Sequence, residues 1–372
     1  MYTWWYSPAF RENKEFEHII TYLLALLIPT FYLAVKVANY NTRDGGISNS
    51  NNKSNIPSTN VIVDVKNSGI KLSPWFVTGF ADAESSFSMS VFKSKTAAVG
   101  WAIEPCFIIT LHKKDIELLN KIQLFFGVGS VSTVGDKTAR YRVRSRQELK
   151  TIIAHFEKYP LQTTKFVNFI CFCKILELMN NKLHTNVEGF LKLLSLINKL
   201  NNPLSESLLE KLAPLGIIPS VELELSSVES LNIKDKLDPW WISGFATDES
   251  SFTFFTRKRQ KAAGDVVKDY TLVFEMGQKS DNIYLLNLIV NTLGYGKVYT
   301  EKRGISKFRL VPRDQILNDL VPFFDKYPLE GNKALQYSVW IQIVNTLHKS
   351  PRSAHRENKV EALMKELSNL NK

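Results

Sequence analysis

Cysteine is scarce in this chain of 372 residues, which contains three: Cys106, Cys171 and Cys173. An odd, sparse set of this kind excludes a disulfide framework and a four-thiolate zinc site. Cys171 and Cys173 lie in an apolar helical stretch, where cysteine acts as a small core residue. The sequence therefore fits a reducing compartment.

Acidic residues are also in the minority. The chain has 36 Asp and Glu against 47 Lys and Arg, so its formal net charge is +11. This excess favours a polyanionic partner, either nucleic acid or an anionic membrane surface. Hydrophobic residues make up 44% of the chain, which is enough to build sizeable cores in two or three domains.

A long run without charge extends from Ile19 to Val35, with Arg11 and Lys14 before it and Lys36 after it. Its length is at the short end of a membrane span. We interpret it as a membrane helix, a signal-like leader, or an exon-derived segment removed after synthesis. The stretch that follows is rich in Asn, Ser and Gly, which predicts a disordered linker and sets residues 1–60 apart.

The rest of the chain contains two copies of one unit. Each copy starts with a helix cap and a proline, at Ser73-Pro74 and at Asp238-Pro239, and continues as a short apolar helix. Two strands with period-two alternation, a helix, two further strands and a final helix follow in both copies. The sequence therefore predicts an α+β fold of two αββαββα repeats.

The predicted boundaries follow from these matches. They are an N-terminal apolar segment and linker at 1–60, a first repeat at 73–186, a linker at 187–237, a second repeat at 238–350, and a C-terminal helical tail at 351–372.

Each apolar helix carries a glycine, Gly79 in the first copy and Gly244 in the second. A helix that is apolar on all sides must be buried, and an interior glycine costs about 1 kcal/mol relative to alanine. That cost is reasonable where another backbone packs closely. We therefore expect the two helices to pack together about a pseudo-twofold axis.

Each of these helices ends in a glutamate, Glu84 or Glu249. Two converging carboxylates at the negative ends of helix dipoles repel each other unless a cation lies between them. Hard oxygen ligands that leave room for phosphate suit Mg²⁺, and a pair of ions could support phosphodiester hydrolysis. The alternative is that both are solvated helix-end acids, but their duplication in a basic chain favours the metal site.

The stretches VTGFADAES (77–85) and ISGFATDES (242–250) resemble the two motifs of single-chain LAGLIDADG homing endonucleases, particularly the fungal intron-encoded type. Matched GVG and GYG turns and two YPL segments extend the resemblance over residues 73–350. It implies a saddle-shaped sheet in each repeat and a monomer that cuts both strands of a DNA target site with Mg²⁺ or Mn²⁺, leaving 3′ overhangs. It also implies a role in intron mobility and a mitochondrial location.

The resemblance implies roles for particular residues. Glu84 and Glu249 match the metal-binding position of each motif, and Lys165 and Lys333 match lysines near the scissile phosphates. Gln278 matches a glutamine that orders water, and it has no counterpart in the first copy.

That counterpart position holds Leu111, so we expect an asymmetric site that cuts one strand faster. The sixth motif position is Asp82 in one copy and Thr247 in the other, and we expect Asp82 to orient its neighbours rather than to catalyse. The final glycine of each motif is replaced by Ser85 and Ser250.

Strand residues that share the parity of the two acids are expected to face away from the core and to line the DNA. About half of them are expected to contact bases, and the others to be solvated or to reach phosphates. The predicted DNA-contacting residues are Ser86, Ser88, Ser90, Phe92, Arg140, Arg142, Arg144, Ser251, Thr253, Phe255, Arg257, Arg259, Lys297, Tyr299, Lys307 and Arg309.

Two other functions stay open at this point. The chain could be an RNA maturase that assists splicing of its host intron on the same fold, or a catalytically inactive DNA-binding protein. The serines at the motif ends and Thr247 are the arguments for inactivity. A membrane partner is expected only if the run from Ile19 to Val35 is retained.

Overall fold

The computed structural model describes residues 71–200, 203–219, 235–260, 266–301 and 304–371. The predictions for residues 1–60 lie outside these ranges, as does the middle of the linker between the repeats. Within the described ranges, no helix is both long enough and apolar enough to cross a membrane.

The first repeat forms one four-stranded antiparallel sheet with its helices on one face, in the strand order β1-β2-β4-β3. Its elements are α1 (Pro74–Glu84), β1 (Ser85–Lys93), β2 (Trp101–His112), α2 (Ile116–Phe126), β3 (Ser130–Val134), β4 (Thr138–Val143), α3 (Arg146–Lys158) and α4 (Lys165–Asn180). Two linker helices follow, α5 (Val187–Ile197) and α6 (Glu206–Leu212).

The second repeat has the same strand order, β5-β6-β8-β7. Its elements are α7 (Pro239–Glu249), β5 (Ser250–Gln260), β6 (Val266–Lys279), α8 (Ile283–Leu293), β7 (Lys297–Glu301), β8 (Ile305–Leu310), a helix α9 made of Arg313–Gln315, a π-helical turn at Ile316–Leu320 and Val321–Lys326, then α10 (Gly331–Lys349) and α11 (Ala354–Leu370). The predicted α+β architecture is confirmed, and each repeat carries one helix more than predicted, which precedes its YPL segment.

Glycine ends the helix between the two strand pairs in both repeats. Gly127 follows α2 with φ 68°, and Gly294 follows α8 with φ 80°. This left-handed conformation suits glycine because it has no Cβ. The GVG and GYG segments are therefore matched helix ends that turn the chain into β3 and β7.

Each repeat has its own hydrophobic core, built around matched aromatic pairs. The rings of Phe87 and Phe107 lie 5.2 Å apart in the first repeat, and those of Phe252 and Phe274 lie 5.2 Å apart in the second. These residues occupy the inward parity of the first two strands, which is why period-two alternation marks them in the sequence. The core therefore places the opposite parity on the outer sheet face.

The linker and the C-terminal tail cover the outer ends of the two sheets. Helix α5 packs on Trp101 and Ile103 at the start of β2. Helix α11 lies near the start of β6, where Tyr270 donates to Glu357 and Lys268 pairs with Glu361. The linker therefore covers one end of the first sheet, and the C-terminal tail covers the matched end of the second.

Helices α1 and α7 pack backbone to backbone at a place that we call the glycine seam, Gly79 and Gly244. A Cβ added at Gly79 would lie 2.0 Å from the carbonyl oxygen of Trp241, and one at Gly244 would lie 2.0 Å from that of Phe76. No real Cβ contact is that short, so only glycine permits this approach. The seam brings the C-terminal ends of the two helices together.

Candidate active site

Glu84 and Glu249 are the last residues of α1 and α7. The backbone after each glutamate is extended, with φ −87° at Ser85 and −88° at Ser250. Any residue adopts this conformation, so a glycine is not required there. The Ser85 hydroxyl also donates to the Ala81 carbonyl at 2.7 Å, which accepts from the Ser85 backbone amide as well.

The larger cavity at the helix ends has a volume of about 450 Å³ and brings together predicted residues from both repeats. Gln278 Nε2 donates to Glu249 Oε1 at 2.8 Å, and Asn282 Nδ2 donates to Gln278 Oε1 at 3.2 Å. Lys165 from the first repeat lines the same space. Glu249 is therefore held in one orientation by a chain of two amides.

Lys165 is tied to the end of α1. Its Nζ donates to the carbonyl oxygens of Ala83 at 2.7 Å and Ala81 at 3.2 Å. A cation is stabilised there by the negative end of the helix dipole. Burial lowers the pKa of the Lys165 ammonium, and the surrounding carboxylates oppose this shift.

The smaller cavity has a volume of about 180 Å³ and lies at the matched position across the seam. Lys333 is the counterpart of Lys165 and donates to the Ser250 carbonyl. Leu111 stands where the other cavity has Gln278, so the hydrogen bond that Gln278 makes to a glutamate has no equivalent from this position. Asp248 lines this cavity and hydrogen-bonds Glu84.

The carboxyl groups at the helix ends are pushed toward their neutral forms. Burial, then the charge and hydrogen bond of Asp248, raise the pKa of Glu84 to about 8. Burial and the Asp248 charge raise the pKa of Glu249 to about 7. Burial also raises the pKa of Asp248 itself. Burial and mutual repulsion disfavour the ionised carboxylates here, and a bound cation would stabilise them.

The donor set fits a divalent metal ion with hard oxygen ligands. Across the described ranges, no three His, Cys, Asp or Glu side chains converge in a way that could enclose a metal ion. The protein would therefore supply the Glu84 and Glu249 carboxylates, and water or phosphate oxygens would complete the coordination. Mg²⁺ prefers this arrangement because it keeps several waters and binds one or two carboxylates.

Asp82 lies beneath the site and is almost completely buried. It accepts hydrogen bonds from the Thr163 hydroxyl at 2.6 Å, the Gln162 amide at 2.8 Å, the Trp241 indole at 2.8 Å and the Thr163 amide at 3.1 Å. These contacts fix the loop that leads into Lys165. In the second repeat, Thr247 receives one bond from the Glu330 amide at 3.3 Å.

The predicted DNA-contacting residues of each sheet share the face opposite the helices, and in β4 and β8 they alternate with buried residues. The outer ends of β1 and β5, and all of β7, hold no buried residue of either parity. Phe92, Phe255 and Tyr299 are exposed large side chains on this face. Arg144 lies just past the end of β4, and its guanidinium is 3.6 Å from Glu104. Arg259 is 3.2 Å from Asp269.

Sequence reasoning missed two residues of the site and one of the strand face. Asn282, which holds Gln278, comes where a strand meets the next helix and carries no pattern of its own. Asp248 lies within the second motif, but its contact with Glu84 depends on the packing of two helices that are distant in the sequence. Glu275 shares the parity of the predicted DNA-contacting residues, and this parity could have identified it.

Comparisons with known proteins agree with this geometry. The family model for LAGLIDADG endonucleases matches residues 77–176 and 242–344. A probable intron-encoded endonuclease 3 of Neurospora crassa is 34% identical over 74% of this chain, and the chain spans about half of that protein's length, 51%.

Two solved structures match this chain over nearly their whole length. I-SmaMI bound to an uncleaved DNA target in the presence of calcium ions is 30% identical over 80% of this chain and 99% of its own, with a TM-score of 0.68. I-CpaMI bound to uncleaved DNA is 32% identical over 81% of this chain and 100% of its own, with a TM-score of 0.68. With both motifs matched by the family model and the fold shared with these structures, the chain belongs to the LAGLIDADG endonuclease family.

Proposed function

We propose that this chain is a monomeric, metal-dependent DNA endonuclease that cuts both strands of a specific site and leaves 3′ overhangs. The observation that carries the proposal is the convergence of Glu84 and Glu249 at the ends of two helices joined by the glycine seam, with the half-buried Lys165 close to both carboxyl groups. The DNA-bound structures of I-SmaMI and I-CpaMI support it by their similarity.

The two glutamates would hold Mg²⁺ or Mn²⁺. A bound ion supplies Lewis acidity at the phosphodiester and lowers the pKa of water that attacks it. Lys165 and Lys333, fixed at the helix ends, lie where they can stabilise charge that develops on a scissile phosphate. Gln278 holds Glu249 and can orient a water with its remaining hydrogen-bonding capacity.

The outer strand face would bind the target DNA. Antiparallel ribbons with Ser, Thr, Arg and Lys side chains can enter the major groove, and a net charge of +11 favours the phosphate backbone. We assign the target to an intronless copy of the host gene, which would make cleavage a step in intron mobility. The mitochondrial location rests on the resemblance of the motifs to the fungal intron-encoded type.

The test separates binding from cutting. Sites are selected from a library of intronless alleles, and plasmids carrying them are incubated with the full chain and Mg²⁺. Glu84→Gln and Glu249→Gln should each lower double-strand cleavage by at least about 100-fold, because a single electrostatic or metal-binding group contributes that much to phosphoryl chemistry. Both variants should still retard the same DNA in a gel.

A wild-type chain that binds its site but never cuts would favour the inactive DNA-binding protein. Unchanged cleavage by either variant would contradict the metal-binding roles.

A further inference from the structure

The outer faces of the two sheets differ in how their basic residues are paired. The register aligns Ser86, Ile108, Arg142 and Ser130 in one row of the first sheet. The matched row of the second sheet consists of Ser251, Glu275, Arg309 and Lys297. At the second position of this row, one sheet therefore presents an aliphatic side chain and the other presents a carboxylate.

Glu275 is the centre of a charged network in the second sheet. Its Oε1 accepts from Arg309 Nε, and its Oε2 is 3.8 Å from Lys307 Nζ. Lys307 also pairs with Glu301 at 2.9 Å. The Arg309 guanidinium lies over the Tyr299 ring, 5.4 Å from its centre. Arg309 is thus fixed from two sides before any ligand arrives.

The first sheet has no such network. Arg140 and Arg142 form no ion pair in the part of the chain that the structure describes. The Nε of each is buried and has no hydrogen-bond acceptor there. Neither arginine is therefore tied to a carboxylate of its own sheet, and both can pair with phosphate or with guanine O6 and N7.

A carboxylate on a DNA-binding face requires its own explanation. It repels phosphates, and only 14% of the Glu275 side chain is exposed, so the cost of removing these charges from water offsets much of what the ion pair contributes to stability. The first sheet has Ile108 at the same position, so the fold does not need this pair. What a carboxylate can accept from the major groove is an exocyclic amino group, and cytosine N4 is its usual partner. Arginine in turn takes guanine O6 and N7.

We propose that Glu275 is a specificity-determining residue that reads one G·C base pair together with Arg309, with Glu275 on cytosine and Arg309 on guanine. The inference rests on the proposed function, because it assumes a DNA target on this face. The row begins at Ser251, two residues after Glu249, so the base pair lies toward the inner end of the second half-site. In the first half-site, Arg140 and Arg142 would act without a matched carboxylate, whereas Arg144 has Glu104 as its partner.

The experiment uses binding rather than cleavage. The full chain selects sites from randomised double-stranded DNA in calcium, and the selected sequences are compared between the wild type and Glu275→Gln. We expect one inner position of the wild-type consensus to prefer G·C by about 10-fold, which is the usual penalty for one mismatched pair. In Glu275→Gln that position should change toward adenine, because an amide reads adenine N6 and N7.

A second variant and a control sharpen the test. Glu275→Ile copies the first sheet and should lose the cytosine requirement while the other positions keep their preferences. It should also steepen the dependence of log K on log salt, because Arg309 loses its carboxylate partner and can meet a phosphate. Glu301→Gln removes an outer partner of Lys307 and should leave the G·C preference in place.

The outcomes distinguish a failure of the proposed function from a failure of the role proposed for Glu275. A wild type that selects no sequence overturns the proposed function. A clear consensus that is the same in wild type, Glu275→Gln and Glu275→Ile overturns only the role of Glu275. The role of Glu275 is also overturned if the wild type selects adenine instead of cytosine at this position, or if Glu275→Gln and Glu275→Ile lose their preference at every position at once.

Discussion

The indole Nε1 of Trp241 in the second repeat donates a hydrogen bond of 2.8 Å to Asp82 Oδ2 in the first. The same carboxylate accepts from the backbone amides of Gln162 and Thr163. Burial raises the pKa of Asp82, and these donors oppose that shift. One buried carboxylate thus joins both seam helices to the loop that places Lys165.

We predict that Trp241→Phe lowers the free energy of unfolding by about 1–3 kcal/mol, because a buried acceptor loses a donor. Urea unfolding followed by circular dichroism measures the change. Trp240→Phe is the control, since the Trp240 ring packs edge-on against Tyr327 and is not a partner of Asp82. Equal losses in the two variants would show that the effect is packing alone.

The glycine seam gives a second prediction. Gly79→Ala should destabilise the fold by about 3 kcal/mol, the upper part of the usual range for overpacking, because the new Cβ meets backbone that cannot move aside. Gly277→Ala is the matched control, because nothing lies within 4 Å of its added Cβ. Thermal unfolding of both variants would test this, and a stable Gly79→Ala protein would contradict the close approach of the helices.

The asymmetry of the site predicts unequal cutting of the two strands. Gln278→Leu places in the second repeat the residue that Leu111 is in the first. Under the proposed function it should slow cutting of the strand next to Glu249 by about 10–100-fold, which is the usual effect of losing a hydrogen bond that supports a metal ligand. Nicked plasmid should then accumulate before the linear product. End-labelled duplexes measure the two strands separately. If cutting of both strands slows equally, Gln278 acts on the whole site rather than on one strand.

His155 gives a prediction for pH. Its Nε2 lies 3.0 Å from the Thr78 hydroxyl, and burial lowers its pKa to about 4. The unfolded chain binds this proton near pH 6.5. Between these values the unfolded state holds more protons, so stability falls as pH drops through that window.

From pH 7 to 5 the contribution of His155 is a loss of about 2 kcal/mol. His155→Gln should show a correspondingly weaker pH dependence in urea unfolding, whatever its absolute stability. Parallel curves for wild type and His155→Gln would exclude a buried neutral ring.

Local patterns were enough to predict the repeat, its strands and the helix ends. Proline after a cap residue marks the starts of α1 and α7, and period-two alternation marks the inward phenylalanines of β1 and β5. Gly79 and Gly244 predicted a close backbone contact because glycine is otherwise costly in an apolar helix. These signals are local, since each depends on neighbours within a few positions.

The remaining contacts join residues that are far apart in the sequence. The bond from Trp241 to Asp82 spans 159 positions, and no local period relates the two. The Leu370 carbonyl at the end of α11 accepts from Lys114 at 3.1 Å and from Asn332 and Gln336 at 3.2 Å each. The sequence predicted a helical tail, but its reach to the other repeat depends on the packed fold.

The glycine seam also sets the distance between α1 and α7. Main chain contacts main chain at Gly79 and Gly244, so no side chain separates the two helices at that point. The separation of Glu84 and Glu249 at the ends of the same helices therefore depends on this backbone contact. Under the proposed function, substitutions on the outer strand faces would change the preferred target sequence without changing the stagger between the two cuts.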